Sequence, residues 1–104
     1  MAKQSYVYRT TNPTTGEFYI GSRTVPYGLA RSDVKYFGSG VWPKQMKMLK
    51  VLLHKEVIKV CNKRAKARTL EMWLIYQEGD NQLCRNIQYW QAPPRKRRPL
   101  RRQG

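Results

Sequence analysis

Residues 6–21, YVYRTTNPTTGEFYIG, hold two short runs of aromatic and β-branched residues on either side of a cluster of turn formers. Both runs favour β-strands, because such side chains fit a pleated, half-buried surface. Asn12 and the proline after it open the turn, and Gly16 supplies the positive backbone angle that closes a loop of about five residues. The stretch therefore predicts a β-hairpin with a tyrosine on each strand, Tyr8 and Tyr19.

The chain beyond the hairpin predicts a loop, a short helix and a third strand. Residues 23–40 contain one proline and three glycines without a regular periodicity, which predicts a long ordered loop. Residues 41–50 favour a short helix with Pro43 in its first turn. Residues 51–60 are rich in β-branched residues and predict a central strand.

The longest predicted helix follows over residues 63–78, with Asn62 as its amino-terminal cap. The residues predicted to lie on or near one stripe of this helix are Ala67, Leu70, Trp73, Leu74 and Gln77. Residues 79–82 favour a turn, and residues 83–90 favour a short extended piece. Residues 1–90 are thus expected to form a small α/β (α+β) domain, in which helices flank a three-stranded antiparallel sheet.

The charge of the chain indicates its partner. Twenty-one lysines and arginines against six acids give a formal charge of +15 over 104 residues, which indicates a polyanion. Nucleic acid is favoured over a membrane, because neither end carries a basic segment with a strong apolar face. Residues 91–104 hold three prolines and six basic residues and are expected to form a disordered basic tail. No apolar run approaches the ~20 residues of a membrane span and no secretory signal is visible, so a cytoplasmic location is expected.

Cysteine and histidine are too scarce for a closed zinc site. The chain has two cysteines, Cys61 and Cys84, and one histidine, His54, whereas such a site needs four good ligands. The cysteines are therefore expected to be reduced and mostly buried thiols.

Several short motifs occur in a characteristic order. Tyr8 ends YVY, Tyr19 begins YIG, and Arg23 ends GSR; YFGSG, LEMWLI with Glu71, and RNI with Asn86 follow. This order over residues 5–90 resembles the GIY-YIG nuclease family, and in particular its phage-type, homing-endonuclease-like members. The resemblance implies a metal-dependent endonuclease that hydrolyses phosphodiester bonds in DNA.

The same resemblance implies a role for each matching residue. Glu71 would hold a single Mg²⁺ or Mn²⁺, which takes its other ligands from water and substrate phosphate. Tyr8 and Tyr19 would converge on the attacking water, one of them as the general base. Arg23 would bind the scissile phosphate and favour the phenolate form of that tyrosine. Asn86 would complete the catalytic set.

The basic residues expected to contact nucleic acid follow from the charge and from the family pattern. Many relatives place a lysine directly after the GS turn, where this chain has Val41, so Lys35 and Lys44 are candidate substitutes. Some members carry an arginine about ten residues past the second tyrosine, and Arg31, twelve past it, is a candidate for that role although its register differs. Basic residues crowd the first turns of the second predicted helix without accompanying acids, which favours a phosphate-contact face. The expected contacts are Arg31, Lys35, Lys44, Lys63, Arg64, Lys66, Arg68, Arg95, Lys96, Arg97, Arg98, Arg101 and Arg102.

One alternative from a different class stays open. A catalytically silent nucleic-acid-binding protein of a ribonucleoprotein or a phage assembly would account equally well for the charge and the arginine-rich tail. The chain has no room for a separate DNA-reading domain, so sequence specificity is expected to be low or supplied by a partner. DNA is the expected substrate, and RNA or branched DNA, a homodimer and a protein partner stay open as alternatives.

Overall fold

A computed structural model describes residues 2–78 and 81–86 of the chain. Its elements, in chain order, are β1 (Lys3–Thr11), β2 (Phe18–Pro26), α1 (Val41–Met48), β3 (His54–Cys61) and α2 (Arg64–Gln77). The strands form one antiparallel sheet in the order β2-β1-β3. The predicted fold class, a three-stranded antiparallel sheet with helices, is confirmed.

The hairpin forms where the sequence predicts it. The turn closes through hydrogen bonds of 2.8 Å from the Asn12 N–H to the Glu17 carbonyl and from the Gly16 N–H to the Asn12 carbonyl. Gly16 has a φ of 83°, the left-handed conformation that glycine adopts without steric cost. Both strands are longer than predicted, so Arg23 lies in β2 rather than in the loop that follows it.

The order of the strands differs from the prediction. Residues 51–60 were expected to supply a central strand, but β3 lies at an edge and β1 occupies the centre. The physical reason is burial on both faces: Tyr6, Val7 and Tyr8 are all buried in β1, whereas the residues of β3 before Cys61 are half-buried or exposed. A half-buried strand fits an edge, where only one of its faces is covered.

The sheet separates two apolar clusters. The face that we call the tyrosine face carries Tyr6, Tyr8 and Tyr19, which pack with Trp42 of α1. The opposite face, called here the helix face, packs against α2; its cluster contains Val7, Phe18, Ile20, Cys61, Ala67, Ile75 and Cys84. Alternation along β1 and β2 sends neighbouring side chains to opposite faces, so a small domain obtains two cores from one sheet.

Helix α2 corrects two predictions. Asn62 is not its cap: Lys63 holds that position, and its side chain makes no capping hydrogen bond. The buried residues are Ala67, Glu71 and Ile75, each four apart, whereas Trp73 is 55% exposed and Gln77 is also exposed. At about 100° per residue, Trp73 lies roughly opposite the centre of this stripe. Membership of Trp73 and Gln77 in the stripe is therefore wrong, and Glu71 faces the sheet.

The remaining predictions are partly within the described residues. Of the predicted extended piece, residues 83–86 are described, and Cys84 forms a parallel bridge with Phe18. Cys61 and Cys84 are free and buried, as expected. The predicted basic tail, residues 91–104, lies outside the described residues. In the described part of the chain, no helix combines the length and the apolar character needed to cross a bilayer.

Candidate active site

The two motif tyrosines lie side by side on the tyrosine face, each next to a glycine. A Cβ added to Gly21, the partner of Tyr8 across the strands, would overlap the Tyr8 hydroxyl and lie 2.6 Å from Tyr8 Cζ. A Cβ added to Gly40 would lie 2.6 Å from the Tyr19 hydroxyl. The glycines of YIG and of FGSG therefore leave room for the two phenol rings, which are 1% (Tyr8) and 5% (Tyr19) exposed.

The ionisation of Tyr8 runs against the expectation from the sequence. Burial raises the pKa of Tyr8 well above its ordinary value, and the nearby Tyr36, Tyr19 and Glu71 raise this pKa further. Removing water and adding negative neighbours both disfavour a phenolate. Tyr8 is therefore a neutral phenol, and the effects that raise its pKa outweigh the lowering by Arg23 that the sequence led us to expect.

Arg23 instead contacts two residues of the loop after β2. Its Nε lies 3.2 Å from Asp33 Oδ2, and its Cζ lies 3.9 Å from the centre of the Tyr36 ring. Tyr36 in turn packs edge-on against Tyr8, with ring centres 5.8 Å apart. These contacts hold the planar guanidinium next to the tyrosines, while 37% of the surface of the Arg23 side chain stays exposed to solvent.

A buried lysine completes the polar network of the tyrosine face. Lys55 Nζ donates a 2.7 Å hydrogen bond to the Tyr6 hydroxyl and another to the Asp33 carbonyl, and its side chain is 6% exposed. The Tyr6 hydroxyl donates to Asp33 Oδ2 at 2.5 Å. Burial lowers the pKa of Lys55, and the Asp33 carboxylate opposes that effect. Asp33 thus balances two cations, Lys55 and Arg23, beside the tyrosine cluster.

Glu71 reaches the same region from the other face of the sheet. It is 6% exposed, and its Oε1 accepts a 2.6 Å hydrogen bond from the Ser22 hydroxyl. Ser22 follows Gly21 in β2, an edge strand, and the charge of Glu71 contributes to the raised pKa of Tyr8. Glu71 therefore lies close enough to Tyr8 to raise the pKa of this phenol, although α2 packs on the opposite face of the sheet. Among the described residues, Glu71 is the one acid that is buried.

The donor atoms around Glu71 fit a hard divalent cation. A carboxylate oxygen and the Ser22 hydroxyl are the ligand types that Mg²⁺ and Mn²⁺ accept, with water or phosphate as the other ligands. Within residues 2–78 and 81–86, no group of three or more His, Cys, Asp or Glu residues could hold a metal ion. A cation at Glu71 would therefore take most of its ligands from water and substrate phosphate.

Asn86 lies beside β2, along the edge of the strand that β1 does not cover. Its Oδ1 accepts a 2.9 Å hydrogen bond from the Ile20 N–H, and its Nδ2 donates a 2.6 Å bond to the Ile20 carbonyl. The side chain is completely buried. Ile20 stands between Tyr19 and Gly21, so the geometry makes Asn86 a positioning residue that fixes the YIG backbone.

The predicted nucleic-acid contacts fall into separate groups. Lys35 and Lys44 are exposed and line one groove, of about 530 Å³. Arg31 is exposed and lines a second cavity, of about 210 Å³, together with Asp33 and Lys55. The exposed basic residues at the start of α2 are Lys63, Arg64, Lys66 and Arg68. The six basic residues of the tail, from Arg95 to Arg102, lie outside the described residues.

Sequence reasoning missed four residues of this region: Ser22, Asp33, Tyr36 and Lys55. Alternation along β2 could have placed Ser22 on the face opposite Tyr19, which is the face that α2 covers. Asp33 is one of only six acids in a strongly basic chain, which is a weak signal for a specific ion pair. For Lys55 there is no local signal, because its burial depends on the register of β3 against β1.

Comparison with known proteins identifies no relative of this chain. The resemblance to the GIY-YIG nucleases therefore rests on the sequence motifs in residues 5–90 alone. No family model matches the sequence, and neither a curated protein nor a solved structure matches it.

Proposed function

We propose that the protein is a metal-dependent endonuclease of the GIY-YIG type, which hydrolyses phosphodiester bonds in DNA. The observation that carries the proposal is the burial of Glu71 against Ser22, within electrostatic reach of Tyr8. A glutamate at a random helix position is almost always exposed, because burying its charge costs free energy. In a chain with six acids, the burial of a carboxylate beside the YIG motif therefore favours a functional role for that carboxylate.

In the proposed reaction, the tyrosine hydroxyls orient the attacking water. Tyr8 keeps its proton because its pKa is raised, so it holds the water through hydrogen bonds and does not act as the base. Tyr19, whose ring packs against Gly40, holds the same water from the other strand. The water's proton then passes to solvent. This role differs from the phenolate base that the family resemblance implies.

The second requirement of the reaction is stabilisation of the negative charge on the phosphate. Arg23 suits a non-bridging phosphate oxygen, because a guanidinium offers several donors in one plane and this one is held by Asp33 and Tyr36. A divalent cation held by Glu71 would supply further stabilisation of the charge that develops on the phosphate and the leaving oxygen. Ser22 would fix the orientation of the Glu71 carboxylate. Asn86 would hold the backbone of β2, the strand that carries Ser22.

The proposal includes the partner and the place of action. A formal charge of +15 supports binding to the phosphate backbone, and DNA is the proposed substrate. Backbone contacts carry no sequence information, so low or partner-directed specificity is part of the proposal. A cytoplasmic location, in the host cell if a phage encodes the protein, is proposed with it.

A second candidate function is nucleic-acid binding without catalysis. The observation that favours it is the burial of Tyr8 and Tyr19, together with the raised pKa of Tyr8. Buried phenols that pack in an aromatic cluster suit a structural role as well as a chemical one. Cleavage by the purified protein separates the two candidates.

The deciding experiment is cleavage of supercoiled plasmid by the full chain with Mg²⁺, with Mn²⁺ and with EDTA. The wild-type protein is expected to cut in either metal and to stop in EDTA. Glu71→Gln is expected to lose at least ~100-fold in rate, because a metal supplies several kcal/mol of transition-state stabilisation. The matched control is Glu56→Gln, the same change at an exposed position on β3, which should cut normally.

Two results would contradict the proposal. Binding of DNA without cleavage in either metal would favour the silent binding protein. Cleavage by folded Glu71→Gln at the wild-type rate would remove the role assigned to that carboxylate. Circular dichroism of both variants shows whether each has folded.

A further inference from the structure

A groove on the tyrosine-face side of the molecule is not explained by the reaction proposed above. It has a volume of about 530 Å³ and lies between residues 35–39, helix α1 and residues 50–53. Four lysines line it, and the other residues of the wall are apolar, aromatic or small. The lysines are Lys35, Lys44, Lys47 and Lys50.

The charge of the groove is unbalanced. None of the residues that line it is acidic, and all four lysines are exposed. Lys44 and Lys47 are three residues apart on α1, a spacing that places two side chains on one face of a helix. Like charges so close together repel each other, and an anionic ligand relieves that repulsion.

Lys50 occupies a backbone position that normally belongs to glycine. Helix α1 ends with bonds of 3.1 Å from the Lys50 N–H to the Lys47 carbonyl and 3.0 Å from the Val51 N–H to the Met46 carbonyl. This is the Schellman pattern, in which the residue after the helix end takes a left-handed conformation. Lys50 has a φ of 58°, and it is the one non-glycine residue with positive φ in the described part of the chain. A lysine here costs stability and adds a cation to the groove.

The groove adjoins the candidate active site through two residues. Tyr36 lines the groove, and its ring also lies under Arg23 and edge-on against Tyr8. Gly38 lines it too, and a Cβ at Gly38 would lie 3.2 Å from Tyr19 Cε2. The groove and the tyrosine cluster are therefore direct neighbours, with Tyr36 and Gly38 between them.

We infer that this groove binds a single strand of DNA next to the scissile phosphate, with phosphates on the lysines and bases over the apolar wall. The apolar part of the wall favours a single strand: Leu52 is 84% exposed, and Phe37 and Leu53 lie near it. Bases in a duplex are stacked and paired, so a duplex would use the lysines alone, whereas unpaired bases can cover apolar side chains. The inference rests on the proposed function for the position of the strand, and it narrows the substrate to DNA with a single-stranded segment.

The test measures binding of the full chain in EDTA, so that cleavage plays no part. Fluorescence anisotropy compares a labelled oligo-dT, a duplex, an abasic oligonucleotide of equal length and an oligo-rU, each over a range of salt. The test variants are Lys47→Gln/Lys50→Gln and Leu52→Ser. The matched control is Lys63→Gln/Lys66→Gln, which removes two exposed cations at the start of α2, outside the groove.

Loss of two phosphate contacts should flatten the log–log salt dependence for oligo-dT by roughly 1.4 and weaken binding by roughly 25-fold at 0.1 M salt. The groove variant should weaken oligo-dT more than duplex, whereas the control should weaken both to a similar extent. Leu52→Ser should weaken oligo-dT but not the abasic strand, because only the bases contact the apolar wall.

Lys50→Gly provides a check that does not depend on a loss of folding. Glycine accepts the left-handed conformation, so this variant should melt a few degrees higher than the wild type while it binds oligo-dT more weakly. If Lys50 had only a structural role, the variant would melt at a higher temperature but bind oligo-dT as tightly as the wild type.

The inference is overturned by unchanged oligo-dT affinity and salt slope in the groove variant. It is also overturned if that variant loses binding only to oligo-rU in the anisotropy assay. A loss confined to phosphatidylserine vesicles, or to a second copy of the chain, each followed by light scattering, would overturn it as well. A protein that fails to cut plasmid but shows the expected groove effects would contradict the proposed function and leave the binding groove in place.

Discussion

Replacement of Gly21 by alanine tests whether the YIG glycine exists to make room for Tyr8. The added Cβ would overlap the Tyr8 hydroxyl and lie 2.6 Å from Cζ and 3.1 Å from Cε2. The ring cannot easily move, because it is 1% exposed and packs against Tyr6 and Tyr36 at centre distances of 5.8 Å. Overpacking of this kind costs about 1–3 kcal/mol.

The backbone effect of the same change has the opposite sign. Gly21 is not among the positive-φ residues, so alanine fits its backbone and reduces the entropy of the unfolded chain, a gain of about 0.4–1 kcal/mol. The net expectation is a loss of roughly 1–2 kcal/mol in the free energy of unfolding. In a domain of this size, each kcal/mol shifts Tm by about 4–8 °C.

Urea unfolding followed by circular dichroism measures the effect in a double-mutant cycle with Tyr8→Phe. Removal of the hydroxyl deletes the atom nearest to the new methyl group, so the double variant should be more stable than the sum predicts by about 0.5 kcal/mol or more. The control cycle pairs Gly21→Ala with Tyr76→Phe, an exposed tyrosine on α2, and should be additive within about 0.5 kcal/mol.

Two outcomes would refute this reasoning. One is a Gly21→Ala protein that is more stable than the wild type, which would mean that the Tyr8 ring gives way freely. The other is a double-mutant cycle in which the effects of Gly21→Ala and Tyr8→Phe on the free energy of unfolding are additive. If the proposed function holds, a hydroxyl displaced by about 1 Å should also slow cleavage by roughly 100-fold.

Three further changes test the supports of the site and the tail. Asn86→Ala leaves a buried N–H and carbonyl unpaired and should cost about 3 kcal/mol in urea unfolding, whereas Asn62→Ala, at an exposed position, should stay within about 0.5 kcal/mol of the wild type. The Arg85 guanidinium lowers the pKa of Glu17 below its ordinary 4.5, so this pair stabilises the protein above that pH and the contribution fades as pH falls below it. Urea unfolding from pH 7 to about pH 3 should show a steeper loss for the wild type than for Glu17→Gln, and equal slopes would contradict the pairing. Deletion of residues 95–104 should flatten the salt dependence of duplex binding by up to roughly 5 units without changing the single-turnover rate, and an unchanged slope would mean that the tail does not contact DNA.

The hairpin could be predicted from the sequence because everything that forms it is local. Turn formers between two β-favouring runs specify where the chain reverses, and the Gly16 φ of 83° is what the turn requires. Once the hairpin register exists, alternation alone places Tyr8 and Tyr19 on one face. Both motif tyrosines, and the sheet class, are therefore readable without tertiary information.

The rotation of α2 was not readable from its own sequence. Trp73 is the largest apolar side chain of that helix, and its hydrophobicity favours a buried position, yet it is exposed and Glu71 is buried. Helical periodicity defines faces but not which face is covered, because that depends on the sheet that receives the helix. Here the hydroxyl of Ser22, 49 residues away along the chain, accommodates the carboxylate.

The order of the strands and the electrostatics of the site also depend on contacts between residues that are far apart in the sequence. Lys55 is buried because β3 pairs with β1, which brings it to Tyr6 and to Asp33 from the loop, 49 and 22 residues away in sequence. Asn86 finds its backbone partner 66 residues away. The pKa of Tyr8 is raised rather than lowered for the same reason. The sequence suggested cations near the phenol, whereas the burial of Tyr8 and the nearby charge of Glu71 arise only in the folded structure. Local patterns specify strands and turns, but burial and electrostatics are properties of the assembled neighbours, and these only the tertiary structure decides.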